Sequence, residues 1–211
     1  MNRREASTFG LAAMLVGGFA RGVAAEGMPE TRDGLVRQDS KRLKYVYLLP
    51  GADFSGYNSS LLDPTHVAFA GQITDGDIAE AAARASKAAT EIFAKAFEAG
   101  GYTIANALGQ GVLRVSTSVV NIRVTSPDMQ TTGITVSGGA GSATFVVEAR
   151  DSVSNALLGR ATDDETAGVT SIAMRRTATT NRADFRDLAK TWAKDCVKGL
   201  NELKALSPGS R

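Results

Sequence analysis

The sequence predicts an α+β fold: a mostly antiparallel sheet with two long helices packed on one face. Three observations predict it. An apolar stripe at helical spacing runs through Asp75–Gly100, and a second runs from Phe185 to Leu203. Around them lie short runs of β-formers whose apolar residues recur with period two. The order, strand, strand, helix, several strands, helix, suits a sheet whose apolar face is covered by helices.

Each element has its own signal. "LKYVYLL" (Leu43–Leu49) is rich in β-formers and stops at Pro50-Gly51, so it is expected as a buried strand. "HVAFAG" (His66–Gly71) is a second short strand. Ile78, Ala82, Ala85, Ala89, Ile92 and Ala96 then fall at steps of four and three, with Phe93 and Phe97 beside them. Asp77 and Glu80 stand at capping-box spacing, and Gly100-Gly101 supplies a left-handed stop. The stripe is small at its start, so this half of the helix should lie close to whatever it covers.

From Tyr102 the period changes to two. "YTIAN" is a short strand, and "VLRVSTSVVNIRV" (Val112–Val124) alternates, then shifts phase after Val119. Such a shift marks a bulge or bend. "SGGAGS" (Ser137–Ser142) is expected as a flexible connection. Phe145, Val147 and Ala149 form one face of a hairpin that turns near Asp151–Asn155 and returns through Leu157 and Leu158. "DDE" (Asp163–Glu165) is expected as a solvated hairpin end, and Thr166–Thr180 as a polar connector. Asn181 is the expected cap of a last helix carrying Phe185, Leu188, Trp192, Cys196, Leu200 and Leu203.

The N-terminus speaks to compartment. Asn2-Arg3-Arg4 is a short basic head, and "TFGLAAMLVGGFA" (Thr8–Ala20) is uncharged. Thirteen residues at about 1.5 Å each fall short of the ~30 Å hydrocarbon core. A signal peptide over residues 1–25 is therefore expected, with cleavage after Ala25, where Val23 and Ala25 offer small side chains. Arg3-Arg4 and Arg21 suit twin-arginine export, whereas Ala6 and Ser7 stand where that signal usually carries Phe and Leu, so both export routes stay open. The single cysteine, Cys196, lies far from the leader, so the protein is not expected to be a lipoprotein. A periplasmic or secreted protein follows. Beyond the leader the reading is a flexible lead-in over 26–42, a single α+β domain over 43–206, and a tail over 207–211.

Charge and composition exclude several functions. The formal net charge is +2, and Arg3, Arg4, Arg21 and Glu5 leave with the leader, so basic and acidic residues then balance. A neutral domain without a sustained Lys/Arg cluster is a poor nucleic-acid binder. No integral membrane segment is expected once the leader is cut. One cysteine permits no internal disulfide, so stability must come from packing.

No set of residues assembles a familiar catalytic site. The only histidine, His66, sits in a strand-like run, and Ser55 lacks the strand-to-helix context of a nucleophile elbow. Asp75, Asp77 and Glu80 lack calcium-loop spacing, and no second Cys or His completes a zinc site. "SGGAGS" lacks the Lys-Ser/Thr of a phosphate loop, and "GQG" (Gly109–Gly111) precedes a strand, so both read as turns. Met174-Arg175-Arg176 is the one basic cluster. Cys196 lies on an apolar stripe and reads as a buried thiol. No cofactor, no metal and no enzymatic activity are expected.

The most informative stretch is "PGADFSGYNSSLLDP", Pro50 to Pro64. Asp53 can bond its own backbone two residues on, and Gly51 and Gly56 permit positive φ. Phe54 and Tyr57 are expensive to leave in water, so the loop is expected to fold back and pin one or both against the sheet edge or a helix. The alternatives are a structural clasp and a binding site. Asp53, Phe54 and Tyr57 are the candidate binding residues.

This stretch, extended to "YVYLLPGADFSGYNSSLLDPTHVAF" and joined by "ARDSVSNALLGRATD" and "FRDLAKTWAKDCVKGL", resembles a bacterial family of exported domains, domain of unknown function 3313. The likeness covers about Leu43 to Leu203. It implies a cell-envelope protein and brings no activity or catalytic residues with it. Many members look like lipoproteins, and this chain departs from them in lacking the lipid-acceptor cysteine. In element order it is also similar to small α+β domains of envelope assembly proteins. The expected function is an exported, non-enzymatic accessory module that binds an envelope protein or complex. The alternative is a periplasmic binder of a small or lipid-like ligand held between the sheet and the alanine-rich helix, with Ala81, Ala85 and Ala88 lining the space. A hydrolase is the third reading.

Overall fold

The computed structural model describes residues 30–70, 76–124, 136–137, 141–167, 174–175 and 178–207. The expected signal peptide lies outside the described residues, as do the centre of "SGGAGS" and much of the Thr-rich connector.

The segment read as a flexible lead-in instead opens the sheet. Strands β1 (Thr31–Arg32) and β2 (Leu35–Gln38) form a hairpin. Asp33 and Gly34 make its turn, with φ of 53° and 79°. That is the Asp-Gly geometry whose twist suits antiparallel strands. Leu35 is 1% exposed, so the hairpin buries a side chain of its own. β2 pairs with β3 (Tyr45–Leu48). Within the stretch read as a loop lies a further strand, β4 (Ser59–Leu62), and β5 (His66–Phe69) follows.

Helix α1 (Gly76–Ala99) crosses from β5 to β6 (Thr103–Ile104) and β7 (Val112–Val124). A crossover of this length returns the chain to the starting side of the sheet, so the next strand runs parallel to the last. That is why β4 pairs parallel with both β6 and β7, and β5 parallel with β7. β8 (Val136–Ser137) pairs with β11 (Met174–Arg175) in a small separate sheet. The long hairpin of β9 (Gly141–Asp151) and β10 (Leu157–Ala167) supplies the centre, and α2 (Ala178–Leu206) closes the fold. The main sheet runs β1-β2-β3-β10-β9-β7-β4-β6, with β5 also on β7. It is therefore mixed: antiparallel from β1 to β7, parallel beyond. Helix α2 begins at Ala178, before the expected cap at Asn181.

The phase shift in β7 is a bulge. Register slips between Val120 and Arg123, and Asn121 takes φ of 54°. The extra residue lets Val119 and Ile122, three apart, both reach the core. Packing centres on Phe145 of β9, which is fully buried. It stacks on Phe93 of α1 at 5.5 Å and on Trp192 of α2 at 5.0 Å, so the two helices share that face of the sheet at β9. Asp163, expected at a solvated hairpin end, lies inside β10, is buried, and accepts the Trp192 indole N–H at 3.0 Å.

Candidate functional site

Beside this aromatic stack the core opens. Registers across four strands place Leu48, Gly159, Ala149 and Val115 in one row and Val46, Ala161, Val147 and Thr117 in the next. Of the four residues on the two middle strands, three are thus glycine or alanine, where the next row along β9 carries Phe145. Gly159 also fits tightly: a Cβ there would meet Leu48 Cδ2 at 2.9 Å. Above these rows, α2 turns Cys196, Gly199, Leu200 and Leu203 toward the sheet. The small floor leaves a cavity of about 660 Å3 beneath α2, closed in part by Phe54 and Phe97.

One edge of the cavity is charged. The chain between β2 and β3, Asp39–Leu43, runs along it as a strap. Ser40 Oγ accepts the backbone N–H groups of Arg42 and Leu43 at 3.1 and 3.4 Å, and Leu43 is buried under the strap. The Arg42 guanidinium reaches α2: its Nε donates to Glu202 Oε2 at 3.2 Å, its Nη2 to Glu202 Oε1, and its Nη1 lies 3.7 Å from Asp195 Oδ1. The hydrogen bonds from Arg42 hold the Glu202 carboxyl below its usual range and raise Arg42 in turn. Arg160 borders the cavity, but its side chain turns to Glu148 and Asp33 on the other side of the sheet. Burial alone would raise Glu148, yet the hydrogen bonds from Arg160 and Arg150 outweigh it and lower its pKa.

The three candidate binding residues land in different places. Phe54 is 3% exposed and lines the cavity. Its N–H donates to Ser207 Oγ at 2.9 Å, tying the loop to the end of α2. Tyr57 stands 6.4 Å from the Phe54 ring and donates its hydroxyl to Asp151 Oδ2 at 2.9 Å. Burial, then this hydrogen bond, pushes the Tyr57 hydroxyl up to about 12. Asp53 is exposed and caps its own turn, accepting Ser55 N–H at 2.8 Å. The loop is further held by Lys204, which donates to Tyr57 O and to Asn58 Oδ1.

The other singled-out residues stay apart. His66 is exposed at the start of β5, opposite Ser118. Glu80 pairs with Arg84 one turn on, and the side chains of Asp75 and Asp77 lie outside the described residues. Among the described residues no group of three or more His, Cys, Asp or Glu side chains could hold a metal ion. Gly109 exchanges hydrogen bonds with the Ser152 hydroxyl, and Gly111 takes φ of 70° in a turn. The side chains of Met174, Arg175 and Arg176 lie outside the described residues. Ala81, Ala85 and Ala88 line no part of the cavity: the space lies under α2, not under the alanine-rich α1. Cys196, expected as a buried thiol, is half-buried and faces that space, and burial pushes its thiol up. No helix of the described residues is long and apolar enough to cross a membrane.

Fold and site together define an α+β domain with an apolar cavity between its sheet and its C-terminal helix. The chain belongs to the family described as protein of unknown function (DUF3313), whose model matches residues 24–196. No curated protein matches it in sequence. Among solved structures it is similar to a single-substitution variant of the PelC dodecamer from Paraburkholderia phytofirmans, at 15% identity over 74% of this chain and 97% of that one, with a TM-score of 0.41. It is also similar to a Xanthomonas campestris protein of family DUF330, at 10% identity over 71% and 88% of the two chains, with a TM-score of 0.40.

Proposed function

We propose that this chain is an exported, non-enzymatic binding protein of the bacterial cell envelope, and that it holds its ligand in the cavity between the sheet and α2. The cavity carries the reading. The space is a groove of about 660 Å3 that opens to solvent along its charged edge, so it holds water or a guest. Its walls give an apolar guest many contacts and give water few hydrogen bonds. Of the three candidate binding residues, Phe54 is the wall that touches ligand, while Tyr57 and Asp53 hold its loop in place. The basic head and uncharged run of residues 1–25 support export, with cleavage after Ala25.

Titration of the purified protein with anilinonaphthalene sulfonate tests this. Saturable, blue-shifted fluorescence is expected, with Phe54→Ala weakening the dye at least several-fold. Absence of saturable binding would end the proposal.

A second reading, an envelope protein as partner, is favoured by the end of the sheet near Tyr57. Leu108 and Val153 are 61% and 63% exposed and flank the Gly109–Ser152 hydrogen bonds. Replacing both by Asp should abolish crosslinks to that partner in cells while dye binding persists; crosslinks that survive would refute it.

A further inference from the structure

The shape and edge of the cavity say which ligand class fits, provided the cavity is a ligand site at all. We infer that the ligand is a single-chain amphiphile, its chain lying under α2 and its head in water beside the Asp39–Arg42 strap.

Three observations carry this. The roof is one helical stripe, Cys196, Gly199, Leu200 and Leu203. From Cys196 to the exposed Leu206 that stripe extends about 15 Å at about 1.5 Å per residue, so the space is a furrow. The floor opposite it, Ala149, Gly159 and Ala161, offers no side-chain polar group, so a linear hydrocarbon loses no hydrogen bonds there.

The edge decides for an amphiphile over a plain hydrocarbon. Asp39 and Lys41 are exposed on the strap, and Arg42, Asp195 and Glu202 form an ion-paired group beside them. These groups keep that edge wet, so the part of the ligand that passes there must tolerate water. Both signs of charge are present, so the edge does not select strongly between an anionic and a zwitterionic head. Chain length should set affinity.

The test is displacement of the dye from the full protein by alkyl carboxylates and alkyl phosphocholines of about eight to about sixteen carbons, kept below micelle formation. Affinity is expected to rise about fourfold per added methylene and then to level off when the furrow is full. Exchanging one head for the other should change it by less than the addition of two methylenes. Ala149→Phe should move the plateau to shorter chains; should that variant fail to fold, Cys196→Phe does the same from the roof.

Dye binding that the chains do not compete with, or competition without dependence on length, overturns the amphiphile and leaves the cavity reading standing. Tighter binding of a two-chain lipid than of its one-chain counterpart overturns the single chain. Failure of the dye itself to bind is the separate result that removes the cavity reading.

Discussion

Trp192 donates its indole N–H to the carboxylate of Asp163, a buried residue on the central strand β10, at 3.0 Å. The bond ties the last helix to the sheet beside the Phe145 stack. Its replacement by Phe removes the donor and leaves a buried acceptor unpaired, which costs more than the bond was worth. Trp192→Phe is expected to destabilise by roughly 2 to 3 kcal/mol in urea unfolding, whereas Asp163→Asn, which still accepts, should cost about 1 kcal/mol. Equal losses from the two variants would mean that packing, not the hydrogen bond, matters here.

This bond also shows where sequence reading stops. The helical stripe that holds Trp192 and the strand that holds Phe145 were both legible, because spacing alone puts those residues on apolar faces. Asp163 was not, since three successive acids look solvated until register places one opposite Phe145. β4 hid among turn residues because four residues, Ser59–Leu62, show no period, and its parallel partners lie far along the chain. The β1–β2 hairpin did leave a signal, Asp33-Gly34, inside a segment otherwise read by its polarity. The cavity left none. Ala149, Gly159 and Val115 belong to three strands, and only their register brings them side by side.

The strap over the cavity edge is fastened by Arg42. Glu202 and Asp195 both sit on α2, so the guanidinium bridges strap and roof. Surface pairs of this kind add little to global stability, and salt weakens them. Arg42→Ala should therefore leave the melting temperature nearly unchanged while speeding dye release in stopped-flow. High salt should speed release from the native protein and have little further effect on the variant. An unaltered release rate would show that ligand enters elsewhere.

Two tyrosines are expected to set the alkaline limit. Burial raises Tyr102 to about 12, and burial with the Asp151 hydrogen bond raises Tyr57 to about 12, from an ordinary 10.0. A raised folded pKa means that the unfolded chain loses its proton first. The stabilisation is then complete below about pH 10 and declines as pH climbs toward about 12. Urea midpoints should fall across that window, and Tyr57→Phe combined with Tyr102→Phe should flatten the decline even though the double variant starts lower. A slope as steep as in the native protein would assign the alkaline loss to other groups.

The junction of the two helices turns on Gly100. It ends α1 against α2, and a Cβ built there would stand 2.2 Å from Val197 Cγ1, with the carbonyl oxygens of Ala96 and Phe97 at 3.3 and 3.4 Å. Val197 is buried, so it cannot swing into solvent to make room. Gly100→Ala is thus an overpacking change, expected to cost roughly 1 to 3 kcal/mol despite the better helix propensity of alanine. Val197→Ala alone leaves a small void and costs roughly 2 kcal/mol. Together the two changes should cost less than their sum by at least about 1 kcal/mol, because the second removes the clash made by the first. Strict additivity in a urea double-mutant cycle would mean that the helices separate at this contact instead of repacking.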